Sequence, residues 1–121
     1  MSSEFRTIGC LDDIPGNIAR IESYVVGLDQ HAFKRDGLKR DAVERCLERI
    51  CEAASRLGDR ATTLMPSQPW GDIRGMGNRL RHAYDRIGFE IVWDVVQKDL
   101  PSLKVAATQV LSRLEGGTGD G

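Results

Sequence analysis

The sequence predicts an all-α fold, an up-and-down bundle of four to five helices, and three observations carry that prediction. Apolar residues recur at spacings of three and four in successive stretches, the period of one face of an α-helix. No stretch alternates apolar and polar residues with period two, so no sheet is expected. The chain has 121 residues, 40% apolar and 29% charged, enough for one core and one domain over residues 1–121. Helices this short cannot stand alone in water and must pack their stripes together.

The first stripe is Leu11, Ile14, Ile18, Ile21, Val25 and Leu28. Pro15 lacks an N–H and is tolerated only in a first turn or at a kink, so a regular helix is expected to begin near Asp12 or to bend there. Residues 30–35 read as a connector, with Asp36 as the N-cap of the second helix. That helix is expected over 38–57, with Val43, Cys46, Leu47, Ile50, Ala54 and Leu57 as its buried stripe and Gly58 as its C-terminal cap. Its other face pairs Asp41 with Arg45 and Glu52 with Arg56, four apart, each pair worth tenths of a kcal/mol. Residues 61–69, with two prolines, make the longest expected loop.

A third helix is expected from Pro69-Trp70 to about Tyr84. A short fourth, carrying Phe89, Val92, Trp93 and Val96, is expected to end at Pro101. Leu103, Ala106, Ala107, Val110, Leu111 and Leu114 form a last amphipathic helix. The structured region is thus expected over 8–114, followed by a flexible Gly-rich tail over 115–121. Trp70 and Trp93 read as core or interface residues.

Composition excludes several function classes. Net charge is −1, which argues against nonspecific coating of nucleic acid. Neither a membrane span of about 20 apolar residues nor a basic-then-apolar leader is evident, so the expected location is the cytoplasm. Cys10, Cys46 and Cys51 form no Cys-x-x-Cys pair and signal neither a disulfide framework nor zinc. There is no Gly-rich phosphate loop after a strand and no His and carboxylate pair at metal spacing, so no cofactor and no metal are expected.

Chemistry therefore falls to the two histidines, since a neutral imidazole near pH 7 both takes and gives protons. His31 sits in the expected connector with no basic neighbour at catalytic spacing. His82 comes after Asn78, Arg79 and Arg81, and on a helix Asn78, Arg79 and His82 share a face. Arginine binds phosphate through two parallel hydrogen bonds and can stabilise charge that builds during phosphodiester cleavage, while His moves the proton. From Asp72 to Arg86 four arginines face two aspartates, a local balance of +2 that can hold a few phosphates. Structural alternatives stand beside this: a partly buried structural His82, a solvated Arg81 and Arg86, and Glu52 either in its surface pair or supporting the cleft.

Pro69-Trp70, Ile73, Met76, the run Asn78-Arg79-Leu80-Arg81-His82-Ala83-Tyr84, then Ile91-Val92-Trp93 and Asp99-Leu100-Pro101 resemble the HepT-like family of the HEPN superfamily. Ile21-Glu22-Ser23-Tyr24, the run Arg40-Asp41-Ala42-Val43-Glu44-Arg45 and Glu52-Ala53-Ala54 fit the same pattern, so the resemblance covers about 8–114. It implies a helical-bundle homodimer acting as a metal-independent ribonuclease, the toxin of a toxin–antitoxin pair. The partner it implies is an MntA-like nucleotidyltransferase antitoxin that silences the toxin by moving AMP from ATP to the motif tyrosine. By position that tyrosine is Tyr84 and the catalytic histidine is His82.

The family motif places an arginine five positions before the histidine, where this chain has Gly77. Loss of such a group commonly costs about 100- to 1000-fold in rate. Three readings are open: an inactivating substitution, engineered or selected; replacement of the charge by Arg79 or Arg74, with Asn78 and Arg81 beside them on RNA; or a homologue that has lost nuclease activity. The corresponding alternative function is a noncatalytic helical dimer that binds the nucleotidyltransferase or RNA.

Overall fold

Four helical rods and two short helices make up the computed structural model, which describes residues 3–82 and 87–119. In chain order they are α1 (Ser3–Val25), α2 (Gln30–Arg35), α3 (Gly37–Leu57), α4 (Asp59–Leu64), α5 (Trp70–Arg81), α6 (Phe89–Asp94), a π-helical turn (Val95–Asp99) and α7 (Leu100–Gly119). There is no strand among the described residues. The fold is all-α, as expected.

The core lies where α1 packs against both α3 and α7. Leu11, Ile14, Ile18 and Ile21 of α1 are fully buried, and they share one core with Val43, Leu47 and Ile50 of α3 and Leu103, Ala107 and Val110 of α7. This burial explains why α1 is continuous from Ser3, rather than starting near Asp12. Pro15 inside the helix costs about 3 kcal/mol, whereas each buried Leu or Ile returns roughly 1.5–3 kcal/mol. Two turns of α1 on either side of Pro15 therefore outweigh the missing hydrogen bond.

Residues 30–35 are a helix and not a connector. Asp29 caps it by accepting the Ala32 N–H at 2.8 Å, and Phe33 is fully buried with its ring 5.2 Å from that of Trp93. The expected long loop over 61–69 is likewise shortened by α4, whose Ala61 and the following Met65 are buried. Asp36 and Gly58 behave as expected. Asp36 accepts the Lys39 N–H at 3.0 Å, and Gly58, at φ 56°, ends α3 with its N–H on the Ala54 carbonyl. Arg45 pairs with Glu48 at 3.2 Å and not with Asp41, while Glu52 pairs with Arg56 at 2.9 Å.

Pro101 does not end the helix before it. The rod runs from Phe89 to Gly119 through the π turn, where the Leu100 N–H bonds to the Val95 carbonyl five residues back. In a regular α-helix the Pro101 ring would clash with the carbonyl four residues earlier. The wider π turn immediately ahead of it relieves that crowding, a common use of such turns. The backbone of residues 115–119 continues as helix instead of forming the expected loose tail. No proline stands there to interrupt it.

Candidate active site

The segment singled out in the sequence lies on α5, and α3 positions it. Trp70, Ile73 and Gly77 are buried at helical spacing and form the face that packs on α3. The Trp70 indole N–H donates to the Met65 carbonyl at 2.8 Å, fixing the start of the helix. Arg74 donates to the Gly58 carbonyl at 2.8 Å, so its guanidinium ties α5 to the end of α3. Residue 74 lies against residue 58 and residue 77 against residue 51, hence the two helices run antiparallel.

Gly77 is the tightest point of this contact. A Cβ built there would lie 2.6 Å from the Cβ of Cys51 and 3.4 Å from its sulfur, far inside ordinary carbon–carbon separation. Glycine allows this approach because it has no Cβ. An arginine at 77 cannot begin its side chain without pushing α5 off α3. Burial pushes the Cys51 thiol up to about 11, with the Arg81 charge pulling it down and Glu48 pushing it up. Cys51 is therefore a neutral packing group near pH 7, not a nucleophile.

Leu80 is half-buried against the core, and four polar residues of the motif face solvent. Asn78, Arg79, Arg81 and His82 are exposed, and Arg81 donates to the Asn78 side-chain oxygen at 2.7 Å. The helix ends at Arg81, three residues before the expected Tyr84. His82 is its C-cap, with extended backbone and its N–H on the Arg79 carbonyl at 3.3 Å. Two glycines within the last turns weaken the helix by about 1 kcal/mol each relative to alanine, which favours an early end. His82 therefore leaves the helical register with Asn78 and Arg79 and stays one turn away through that backbone bond. Tyr84, Asp85 and Arg86 lie outside the described residues.

Arg79 has a distinct setting. It lines a groove of about 450 Å³ between α3, α5 and the rod that begins at Phe89, over an apolar floor that includes Leu47, Ile50 and Met76, with Asp72 and Asp99 also on its wall. It takes part in none of the ion pairs of the described residues. Glu52 is exposed and held by Arg56 on the surface. Among the described residues no group of His, Cys, Asp and Glu side chains is placed to hold a metal ion, and no helix is long and apolar enough to cross a membrane. Cys51 is buried, as its apolar helical setting predicts, but sequence reasoning missed its contact with residue 77 and the groove wall from Ile87 and Val95. Their only local signal was apolar character, which serves any core position equally.

Comparison with known proteins agrees with the family resemblance of the sequence. The family described as ribonuclease HepT-like matches residues 14–110. A protein of Thermococcus cleftensis named "Probable ribonuclease HepT" is 34% identical over 94 residues, covering 78% of this chain and 86% of its own. A Methanocaldococcus jannaschii protein named "Putative RNase" is 30% identical over 94 residues, with the same coverage of 78% and 86%. Another of that description from Caldanaerobacter subterraneus is 29% identical over 89 residues, covering 74% and 80%. No solved structure matches the chain. With an all-α fold, a family match over residues 14–110 and relatives in agreement, the chain belongs to the ribonuclease HepT-like family.

Proposed function

We propose that this protein is a metal-independent endoribonuclease, the toxin of a toxin–antitoxin pair, in which His82 moves the proton and Arg79 supplies the guanidinium that the family motif places at residue 77. The observation that carries this reading is the contrast between the two positions. Residue 77 is buried against Cys51 with no room for a side chain, whereas Arg79 is exposed and lines the groove beside the motif.

The chemistry needs no metal. The 2′-hydroxyl of the ribose attacks the adjacent phosphorus and gives its proton to a base, and the P–O5′ bond breaks as the leaving oxygen gains a proton. The products are a 2′,3′-cyclic phosphate and a 5′-hydroxyl. An imidazole can serve these transfers at neutral pH, and a guanidinium offset from it stabilises the charge on the phosphoryl oxygens. In a homodimer, two such segments facing one another would place one chain's histidine opposite the other's arginine. Silencing by a nucleotidyltransferase that transfers AMP from ATP to Tyr84 obeys the same physics, since it adds bulk and negative charge beside a site that must admit phosphates. Asn78 and Arg81 extend the RNA contact.

The test is cleavage of RNA by the purified chain and by His82→Ala in the presence of a chelator. The proposal expects the chain to cleave and His82→Ala to lose about 100- to 10,000-fold, the usual share of proton transfer. No cleavage by the chain, with RNA or the nucleotidyltransferase still bound, favours the second reading, a noncatalytic helical dimer. Gly77 is the observation that keeps that reading in view.

A further inference from the structure

A second cluster of arginines lies away from the motif segment. Arg6 on α1, Arg56 near the end of α3 and Arg60 on α4 line one open pocket of about 700 Å³, together with Cys10, Asp13 and Leu57, a size within the roughly 300–1,000 Å³ of small-ligand sites. Three guanidinium groups meet one carboxylate there. Even with Glu52 counted as neutralising Arg56, the pocket keeps a positive balance in a chain whose net charge is −1. Arg6 and Arg60 take part in none of the ion pairs of the described residues.

We infer that this pocket binds phosphate, either a phosphodiester of an RNA strand or the phosphates of a free nucleotide. Only the RNA source rests on the ribonuclease reading. The argument is chemical. Guanidinium forks match phosphate oxygens two at a time, and arginines delivered by three separate elements approach a ligand from different sides. Asp13 adds an acceptor suited to a ribose hydroxyl, which an inorganic anion cannot use. The bend at Gly58 makes the convergence possible: it ends α3 just after Arg56 and starts α4 just before Arg60, turning both side chains towards the first turns of α1.

Cys10 supplies a reporter inside the pocket. It is part-exposed, whereas Cys46 and Cys51 are buried. The experiment is the rate of Cys10 alkylation by iodoacetamide at mildly alkaline pH, read by mass spectrometry, with no ligand, with a single-stranded oligoribonucleotide and with ATP. The chain and the double variant Arg6→Gln/Arg60→Gln are compared, with Arg6→Lys/Arg60→Lys as a charge-retaining control. Both residues are exposed, so unchanged thermal unfolding is expected and checks the fold.

Several-fold slowing of alkylation that is lost in the glutamine variant and partly kept in the lysine variant supports the inference. Protection by the oligoribonucleotide alone identifies a strand, and protection by ATP identifies a nucleotide. For a strand, the slope of log affinity against log salt falls by about 1.4 in the glutamine variant, at about 0.7 for each lost contact to single-stranded nucleic acid. Equal alkylation with and without both probes, or protection undiminished in the glutamine variant, overturns it. No cleavage is read, so a catalytically inert chain leaves this result intact.

Discussion

The two faces of α3 are packed by different means. Towards α1, the buried side chains are large and aliphatic, with Leu11, Ile14, Ile18 and Ile21 all fully buried in the core that α1 shares with α3. Towards α5, the closest approach is made by Gly77 over Cys51, where even one added carbon meets another at 2.6 Å. The first face relies on bulky side chains, whereas the second combines the buried Trp70 and Ile73 with one point where a side chain must be absent. The motif helix is held on α3 by buried Trp70 and Ile73, by this close approach and by one guanidinium bond from Arg74, while the Trp70 indole bond to Met65 fixes its start. The part of the molecule that carries the candidate chemistry is the part where a single methyl has the most leverage on position.

The comparison can be broken on either face. The largest stability effect is expected on the α1 face, where Ile18→Ala should cost about 2–5 kcal/mol in denaturant unfolding. On the α5 face, Gly77→Ala should destabilise through overpacking of about 1–3 kcal/mol, offset by roughly 1 kcal/mol of helix propensity. Its signature is coupling. Combined with Cys51→Gly, which removes the opposing Cβ, the cycle should show a favourable interaction of about 0.5–3 kcal/mol. Additive costs would mean that the contact does not set the helix separation. Arg74→Met should lose on the order of 1–2 kcal/mol with the Gly58 bond, and the loss should appear as greater hydrogen exchange in α5 than in α1.

Cys51 sharpens the same contrast through pH. Its thiol is held up, from 9.0 to about 11, chiefly by burial, so the unfolded chain releases that proton first. The stability this group contributes is complete below pH 9 and is lost as pH rises towards 11. Cys51→Ala should show a smaller loss over that window than the unsubstituted chain, in parallel melts. The smallest effect belongs to Arg56→Gln, which removes an exposed pair with Glu52 and should change stability by no more than about 0.5 kcal/mol.

The contrast also explains what the sequence made legible. The stripes Leu11 to Val25 and Val43 to Leu57 announce their helices because burial on one face leaves a period in the chain, and Asp36 and Gly58 announce the ends because capping is local. The α2 helix was hidden because its six residues show no period and depend on Phe33 reaching Trp93, far along the chain. The π turn was hidden because a proline rule written for regular helices reads Pro101 as a stop. At the candidate site, the motif names His82 and the departure at Gly77, yet the physical meaning of Gly77 is a contact with residue 51. The same holds for Arg6, which nothing local connects to Arg56 and Arg60.

The central claim is that the guanidinium serving the candidate site belongs to Arg79 and that residue 77 is a packing position. The most direct test is single-turnover RNA cleavage by the chain, Arg79→Gln and Gly77→Arg, each checked for folding. The account predicts that Arg79→Gln loses about 100- to 1000-fold and that Gly77→Arg gains nothing, since it must displace α5 from Cys51. Faster cleavage by Gly77→Arg with Arg79→Gln unchanged would contradict it and return the catalytic arginine to position 77.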